Sequence, residues 1–387
     1  MSAIKKIKPK VLVAISGGVD SSVAAHIMLK EGFEVIGAFM KNWSDSKDDF
    51  GECRWREDRE VASVICKALS IPLVTLDFEK EYRRDVVDEM FKLYKRGITP
   101  NPDVDCNQRV KFPLLWKAAK KLGCKFIVTG HYARIKKDKK GKFNLLRGKE
   151  DLKDQSYFLY RLSQNDLSHS LFPIGGMSKV EVRRLAKELK FPNFERPSTK
   201  GICFIGKVNL KDFLQVKIKP KKGNILSPNG EIIGEHDGIS YYTIGQRIGP
   251  RYGIDISRKS GSNLNPRWYV AAKNSKKNII VVAPQGHPSL LRKVMVLDDF
   301  HLITQDVNEW KKKLSGKSLR VDVRIRKVGE LLPATIKYDI NLKRFVVTLK
   351  TAVTGISEGQ ATVLYKKNSP EVLGGGVVSD KEKLKII

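Results

Sequence analysis

The chain has 387 residues, 73 of them Lys or Arg against 42 Asp or Glu, which leaves a formal charge of +31. That length suits two or three domains, and a hydrophobic content of 41% is enough to build ordinary cores, so wholesale disorder is excluded. The charge excess has two readings, a solvated lysine-rich surface or a polyanionic partner whose phosphates release counterions on binding.

In chain order, the basic start Met1–Lys10 precedes a run, Val11–Ile15, that Ser16–Gly18 breaks before it could serve as a secretory leader. A first strand this early also argues against a transit peptide, and no apolar run approaches the ~20 residues of a membrane helix. Strand Val11–Ile15, helix Ser21–Lys30 and strand Phe33–Met40 are followed by a helix with Val61, Val64, Ile65, Ala68 and Leu69 on one predicted buried stripe. Strand Leu73–Phe78, a helix marked by Val86, Met90, Phe91 and Tyr94, helix Phe112–Leu122 and strand Phe126–Thr129 complete an alternation that implies a doubly wound parallel α/β sheet, Rossmann-like in plan. Lys136–Lys142, with Gly141, reads as a hairpin tip, and Ser178 with Glu181 as the capping box of a helix carrying Val182, Leu185, Ala186 and Leu189.

After about residue 206, short β-rich runs dominate: Ile279–Ala283, Leu319–Ile325, Ala334–Tyr338, Phe345–Leu349 and Ala361–Tyr365. Their spacing predicts small barrels or sandwiches rather than a second parallel sheet. The expected division is a catalytic domain over 1–206, a small β-rich adaptor over 207–288 and a C-terminal β-barrel over 289–387.

Ser16-Gly17-Gly18-Val19-Asp20-Ser21-Ser22 joins the first strand to the first helix. Glycines bring backbone N–H groups and a helix N-terminus to one point, a ready anion site, with Ser16, Ser21 and Ser22 adding hydroxyl donors. No Lys follows the glycines, so the loop is not GxxxxGK[ST], and it is not GxGxxG.

Five cysteines, at 53, 66, 106, 124 and 203, form no CxxC pair, which argues against a secreted disulfide framework or a zinc ribbon and for free thiols in the cytoplasm. Cys106 follows a Pro- and Asx-rich stretch, Thr99–Asp105, and Cys203 lies in Ser198–Gly206; both are expected in turn-like loops. Reactive thiols need an accessible, electropositive setting, which Arg109, Lys111 and Lys200 supply. Cys53, Cys66 and Cys124 read as inert core or surface thiols.

Ser16–Ser22 resembles the SGGxDS signature of the PP-loop ATP pyrophosphatases. Further strings resemble the tRNA-specific 2-thiouridylase family: Phe39–Trp43, Asn101–Asp103 with Cys106-Asn107, Lys111-Phe112, Thr129–Ala133, Lys153–Tyr160, Leu171–Pro173, Gly201–Gly206, Tyr242–Arg247, Gly359-Gln360 and Leu373–Gly376. They run in order from about residue 10 to 378.

The resemblance implies an ATP-dependent sulfurtransferase that adenylates the C2 oxygen of the wobble uridine and replaces it with sulfur. Cys203 would carry a persulfide and Cys106 would be the nucleophile. Asp20 would hold Mg²⁺ and the pyrophosphate, and Ala14, Ile15, Ser16, Gly17, Gly18, Val19, Asp20, Ser21, Met40 and Gly130 would bind ATP. Asn101, Pro102 and Asp103 would face the flipped base, while His131, Lys153, Asp154, Gln155, Arg324, Ile325 and Gln360 would touch tRNA. The implied partners are tRNAs with a wobble uridine (Lys, Glu and Gln acceptors) and a persulfide donor, such as a cysteine desulfurase or sulfur-relay protein; no membrane is involved.

The chain departs from the family's usual Asp, Tyr and Pro at Ser198, Ile325 and Glu358. Asp103, Cys106 and Cys203 are also an alternative ligand set for an iron–sulfur cluster. Two other functions remain open from the residues alone: an adenylating amide synthetase for a small acid, and a non-catalytic RNA-binding protein.

Overall fold

The computed structural model describes residues 8–44, 54–197, 203, 205, 209–249, 267–326 and 330–379. From the N-terminus come β1 (Lys8–Ala14), α1 (Val19–Lys30), β2 (Phe33–Lys41), α2 (Arg54–Ala68) and β3 (Leu73–Asp77). A helical run follows as α3 (Glu79–Tyr82), a π turn (Arg83–Val87) and α4 (Asp88–Lys95). A second run comprises α5 (Pro102–Asp105), another π turn (Cys106–Lys111) and α6 (Phe112–Lys121). Then come β4 (Phe126–Val128), the hairpin strands β5 (Ala133–Lys137) and β6 (Phe143–Arg147), α7 (Gln164–Ser168), β7 (Ser170–Leu171) and α8 (Lys179–Glu188).

The sheet order is β3-β2-β1-β4-β7, with all neighbours parallel, so the doubly wound α/β reading holds. Alternation along β1 sends Val11, Val13 and Ile15 into the core shared with α1, α2 and α8, and Leu12 into the core shared with α6. Burial on both faces is what makes these strands read as continuous apolar runs. The chain leaves β1 for β2 on one side and returns to β4 on the other, so the crevice beyond the carboxyl ends of β1 and β4 is the switch point of the sheet.

The stripe of α2 differs from expectation. Val64 is 49% exposed and Ala68 is exposed, whereas Ala62, Ile65 and Cys66 are buried. The helix turns Cys66 onto β2 at Gly37, where a Cβ would come within 2.7 Å of the sulfur, and that close approach rotates the stripe.

The second module contains α9 (Leu210–Gln215), β8 (Gly223–Leu226), β9 (Ile232–His236), β10 (Arg247–Ile248), β11 (Trp268–Asn274) and β12 (Ile279–Pro284), in sheet order β10-β11-β12-β8-β9. The third holds β13 (Leu291–Leu302), α10 (Val307–Leu314), β14 (Leu319–Arg324), β15 (Leu332–Asp339), β16 (Arg344–Thr354), β17 (Ala361–Lys366) and β18 (Val372–Val378). Its six strands close into an antiparallel barrel around Val321, Val323, Ile336, Phe345 and Val347. The barrel sits on the first module: Arg147 N donates to Pro370 O at 2.8 Å, and Gln164 Nε2 donates to Ile303 O at 3.0 Å.

Candidate functional site

Gly18 is the N-cap of α1 and no side chain caps that end, so the first N–H groups of the helix point into the crevice at the switch point. Gly17 has φ +73°, and a Cβ there would lie 2.6 Å from the Asp58 carbonyl oxygen, so only glycine fits. Ser21 Oγ and Ser22 Oγ donate to Gly18 O at 2.9 and 3.1 Å, and Ser16 N donates to Ser21 Oγ at 3.2 Å. Asn193 Nδ2 bonds Gly17 O and Ser22 Oγ, holding the loop from the far side. Gly130, just past β4, lies so close that a Cβ would sit 2.8 Å from Ser21 N. Ala14 and Ile15 close β1 beneath the loop, and Met40, buried, lies near the carboxyl end of β2. Helix dipole, free N–H groups and hydroxyls together suit a polyphosphate.

Asp20 Oδ1 accepts from Tyr132 Oη at 2.7 Å and from Lys179 Nζ at 2.6 Å. The Lys179 side chain is nearly buried, so this loop, which has no lysine of its own, receives an ammonium from the first turn of α8, 159 positions away. The second Asp20 oxygen is the atom that suits Mg²⁺. Among the described residues no three His, Cys, Asp or Glu side chains converge to hold a metal, so Mg²⁺ here would draw most of its ligands from phosphate and water.

The two expected reactive thiols come together. Cys106 and Cys203 face each other within hydrogen-bonding reach, and neither is in a disulfide. Cys106 is fully buried and Cys203 partly so. Asp103 Oδ1 accepts from Cys203 N at 2.9 Å across 100 positions, Tyr82 Oη donates to Cys203 O, and Lys111 Nζ lies 3.8 Å from Cys203 Sγ. The hydrogen bond from Cys106, with help from the Lys111 charge, pulls the Cys203 thiol below its usual pKa against the effect of burial. The same bond and complete burial hold Cys106 well above it. Burial works against the Lys111 charge, but the neighbouring sulfurs and the Asp103 carboxylate outweigh it, and its pKa is raised. Of the two thiols, Cys203 is thus the one pushed toward the thiolate and Cys106 the one held as S–H. Gly130, His131, Phe112 and Lys111 connect the glycine loop to this pair: His131 stacks on Phe112 with ring centroids 5.9 Å apart.

Cys106 lies in a helical run and not in the expected loop. Pro102 opens α5 at its first position, with Asp103 and Asp105 in the first turn, and Cys106 begins the π turn that follows. Proline at N1 with first-turn acids is a helix-start signal, legible but masked by the Pro- and Asx-rich composition. Cys203 does lie in a turn. Cys66 and Cys124 are buried, and burial pushes the Cys66 thiol up to about 11, in keeping with inert core thiols. Cys53, Ser198 and Lys200 lie outside the described residues.

Asn101, Pro102 and Asp103 are partly exposed beside Cys106. The residues expected to touch RNA form no single exposed surface. His131 is buried, bonds Thr129 Oγ1 at 2.7 Å, and is held neutral by burial and the Lys111 charge. Asp154 and Arg324, both buried, pair at 2.7 Å between the first module and the barrel. Ile325 is buried and its carbonyl accepts from Tyr157 Oη at 3.5 Å. Gln155 Oε1 accepts from Tyr132 N at 2.9 Å, and Gln360 bonds backbone carbonyls. Lys153 is partly exposed. Lys179, Asn193 and Tyr82 are structural partners of the site that no local pattern singled out, because their contacts are long-range.

Family models match the chain in three consecutive pieces: a tRNA methyl transferase HUP domain over residues 9–207, a tRNA methyl transferase PRC-barrel domain over 211–284 and an aminomethyltransferase beta-barrel domain over 299–378. Among solved structures, the U34-tRNA thiolase NcsA from Methanococcus maripaludis with its [4Fe-4S] cluster overlaps 55% of this chain and 67% of its own, at 17% identity and a TM-score of 0.35. The tRNA-specific 2-thiouridylase MnmA of Pediococcus pentosaceus is 38% identical over 98% of this chain and 99% of its own. Those of Streptococcus agalactiae and Blochmanniella floridana are 39% and 41% identical, each over 95% of this chain and 95% and 96% of their own. Identity at this level across both full lengths leaves one assignment: the chain belongs to the tRNA-specific 2-thiouridylase family.

Proposed function

We propose that this chain is an ATP-dependent tRNA sulfurtransferase that exchanges the C2 oxygen of the wobble uridine for sulfur, with AMP and pyrophosphate as by-products. The observation that carries the reading is the meeting of Cys106 and Cys203 beside the Lys111 ammonium. A carbonyl oxygen of a pyrimidine is a poor leaving group, and adenylation makes it leave as part of AMP. Ala14–Ser21, Met40 and Gly130 would bind ATP, with Asp20 meeting Mg²⁺ and Lys179 the phosphates. Asn101, Pro102 and Asp103 would receive the unstacked base.

The Cys203 thiolate accepts the outer sulfur of a donor persulfide, releasing the donor as a thiol. The terminal sulfur of the Cys203 persulfide then attacks C2 as AMP departs. Next, Cys106 attacks Cys203 Sγ, giving its proton up to solvent, and breaks the sulfur–sulfur bond, leaving the sulfur on C2 and a Cys106–Cys203 disulfide. A thiol reductant restores both groups. The Lys111 ammonium, 3.8 Å from Cys203 Sγ, would stabilise a thiolate or persulfide anion there.

No helix among the described residues is long and apolar enough to cross a membrane, and the uncrosslinked thiols suit the reducing cytoplasm. Wobble-uridine tRNAs for Lys, Glu and Gln would be the acceptors, a cysteine desulfurase or relay protein the sulfur donor, and the three modules the catalytic, adaptor and tRNA-contacting parts. Mass spectrometry of nucleosides from tRNA incubated with ATP, Mg²⁺ and a persulfide donor tests the reading. The wild type is expected to form 2-thiouridine, Cys203→Ser and Cys106→Ser none, and Asp20→Ala no pyrophosphate. Full thiolation by either cysteine variant would overturn the two-thiol chemistry.

A further inference from the structure

We infer that Gln360 is a positioning residue for sulfur transfer: through this side chain the barrel fixes the segment that carries Asn101, Pro102, Asp103 and Cys106. The inference rests on the function proposed above.

Gln360 Nε2 donates both its hydrogens inward, to Thr99 O at 3.2 Å and to Pro100 O at 2.8 Å. Pro100 and Pro102 have no N–H, so this stretch is tethered chiefly through its carbonyls, and an amide donor is the group that can hold them. The loop bearing Gln360 supplies more contacts. Thr99 N donates to Glu358 O at 3.1 Å, Ser357 Oγ to Thr99 Oγ1 at 3.4 Å, and Thr243 of the second module meets the same hydroxyl at 3.1 Å. Gly359 has φ +88°, and a Cβ there would lie 2.5 Å from Thr99 O, so the two backbones are pressed together. Asn101 Nδ2 donates to Tyr157 Oη, which in turn donates to Ala361 O at 3.1 Å.

Directly after this clasp the chain turns helical at Pro102, and within one turn it delivers Asp103 to Cys203 N and Cys106 to Cys203. A shift at Thr99–Pro100 therefore moves the base-facing residues and the buried thiol as one rigid piece. Glu358, where the family usually has Pro, keeps the loop fixed by other means: its carboxylate pairs with Arg292 at 2.9 Å, both side chains largely buried.

A role confined to RNA contact would give the opposite pattern of effects, so charge-graded variants separate the two. Full-length Gln360→Ala, Gln360→Glu and Gln360→Lys are compared with wild type in single-turnover thiolation, tRNA affinity and thermal unfolding. Loss of the amide donor is expected to slow the Ala and Glu variants about tenfold to a hundredfold, the usual scale for a misplaced reacting group, while the tRNA Kd stays within about twofold. Gln360→Lys, which keeps a donor for the two carbonyls, is expected to recover to within about threefold of wild type. If the Ala variant does not fold, Glu against Lys carries the comparison. Unchanged rates in Ala and Glu, or a Kd that weakens with Glu and tightens with Lys at constant rate, would overturn the positioning role. A wild-type chain that makes no 2-thiouridine sinks the functional reading instead, so the two failures are distinguishable.

Discussion

Lys111 carries its charge beside two sulfurs and the Asp103 carboxylate, and Cys203 receives a hydrogen bond from Cys106. Cys106 and Lys111 both favour the ionised Cys203, the form that the proposed reaction needs, against burial and the Asp103 carboxylate. Removing either should raise its pKa and move the pH profile of Cys203 alkylation upward, for Lys111→Met as for Cys106→Ala. At a pH below the raised pKa, reactivity falls about tenfold for every tenfold weakening of the thiol as an acid, because the thiolate fraction falls by that factor. Iodoacetamide rates between pH 6 and 9, followed by peptide mass spectrometry, read this directly, and profiles that superimpose on wild type would remove both groups from the account. The cysteines themselves stand out in the sequence, whereas the sign of their difference does not: which thiol is raised and which lowered depends on burial and on a lysine set by the fold.

Elements differ in how plainly the sequence announces them, and the reason lies in where their partners sit. β1, the hairpin of β5 and β6 and the capping box of α8 depend on residues a few positions apart, and all three lie where the pattern puts them. The stripe of α2 turns away from its predicted face because one contact, Cys66 on Gly37, is tertiary. β18 has three consecutive glycines, 374 to 376, which suppress any strand signal even though the barrel closes through them. Lys179 is unremarkable at the start of a capped helix until α8 packs on α1 and brings it to Asp20. The seam between β4 and α1 gives a test at this scale. Gly130→Ala would push a methyl carbon to 2.8 Å from Ser21 N, so it should displace the glycine loop. Calorimetric ATP affinity is expected to fall at least tenfold, a loss on the scale of one charge-assisted hydrogen bond, with secondary structure by circular dichroism retained. Unchanged affinity would mean the loop yields without cost.

At the scale of the whole molecule, the first module and the barrel meet through polar contacts made by residues that were expected to touch tRNA. Asp154 accepts from Gly148 N, Ser156 N and Arg324 NH1, and Arg324 reaches it from β14 of the barrel. Breaking such a buried pair by removing one partner leaves an uncompensated charge, which typically costs about 3–5 kcal/mol. Asp154→Ala is therefore expected to lower the denaturant midpoint well beyond a surface change, and a midpoint equal to wild type would show the pair to be dispensable. With these charges turned inward, the remaining cationic excess is the part left to meet a polyanion, and its effect on affinity should fade with added salt. The clasp on Thr99 and Pro100 has a further consequence for synthesis. The ribosome releases the glycine loop, Cys106 and Cys203 long before it makes residues 357 to 361, so an unfinished polypeptide holds every reacting atom without the hand that aligns them. If the proposed positioning role holds, such an intermediate would lack the alignment for sulfur transfer until the last barrel strands are laid down.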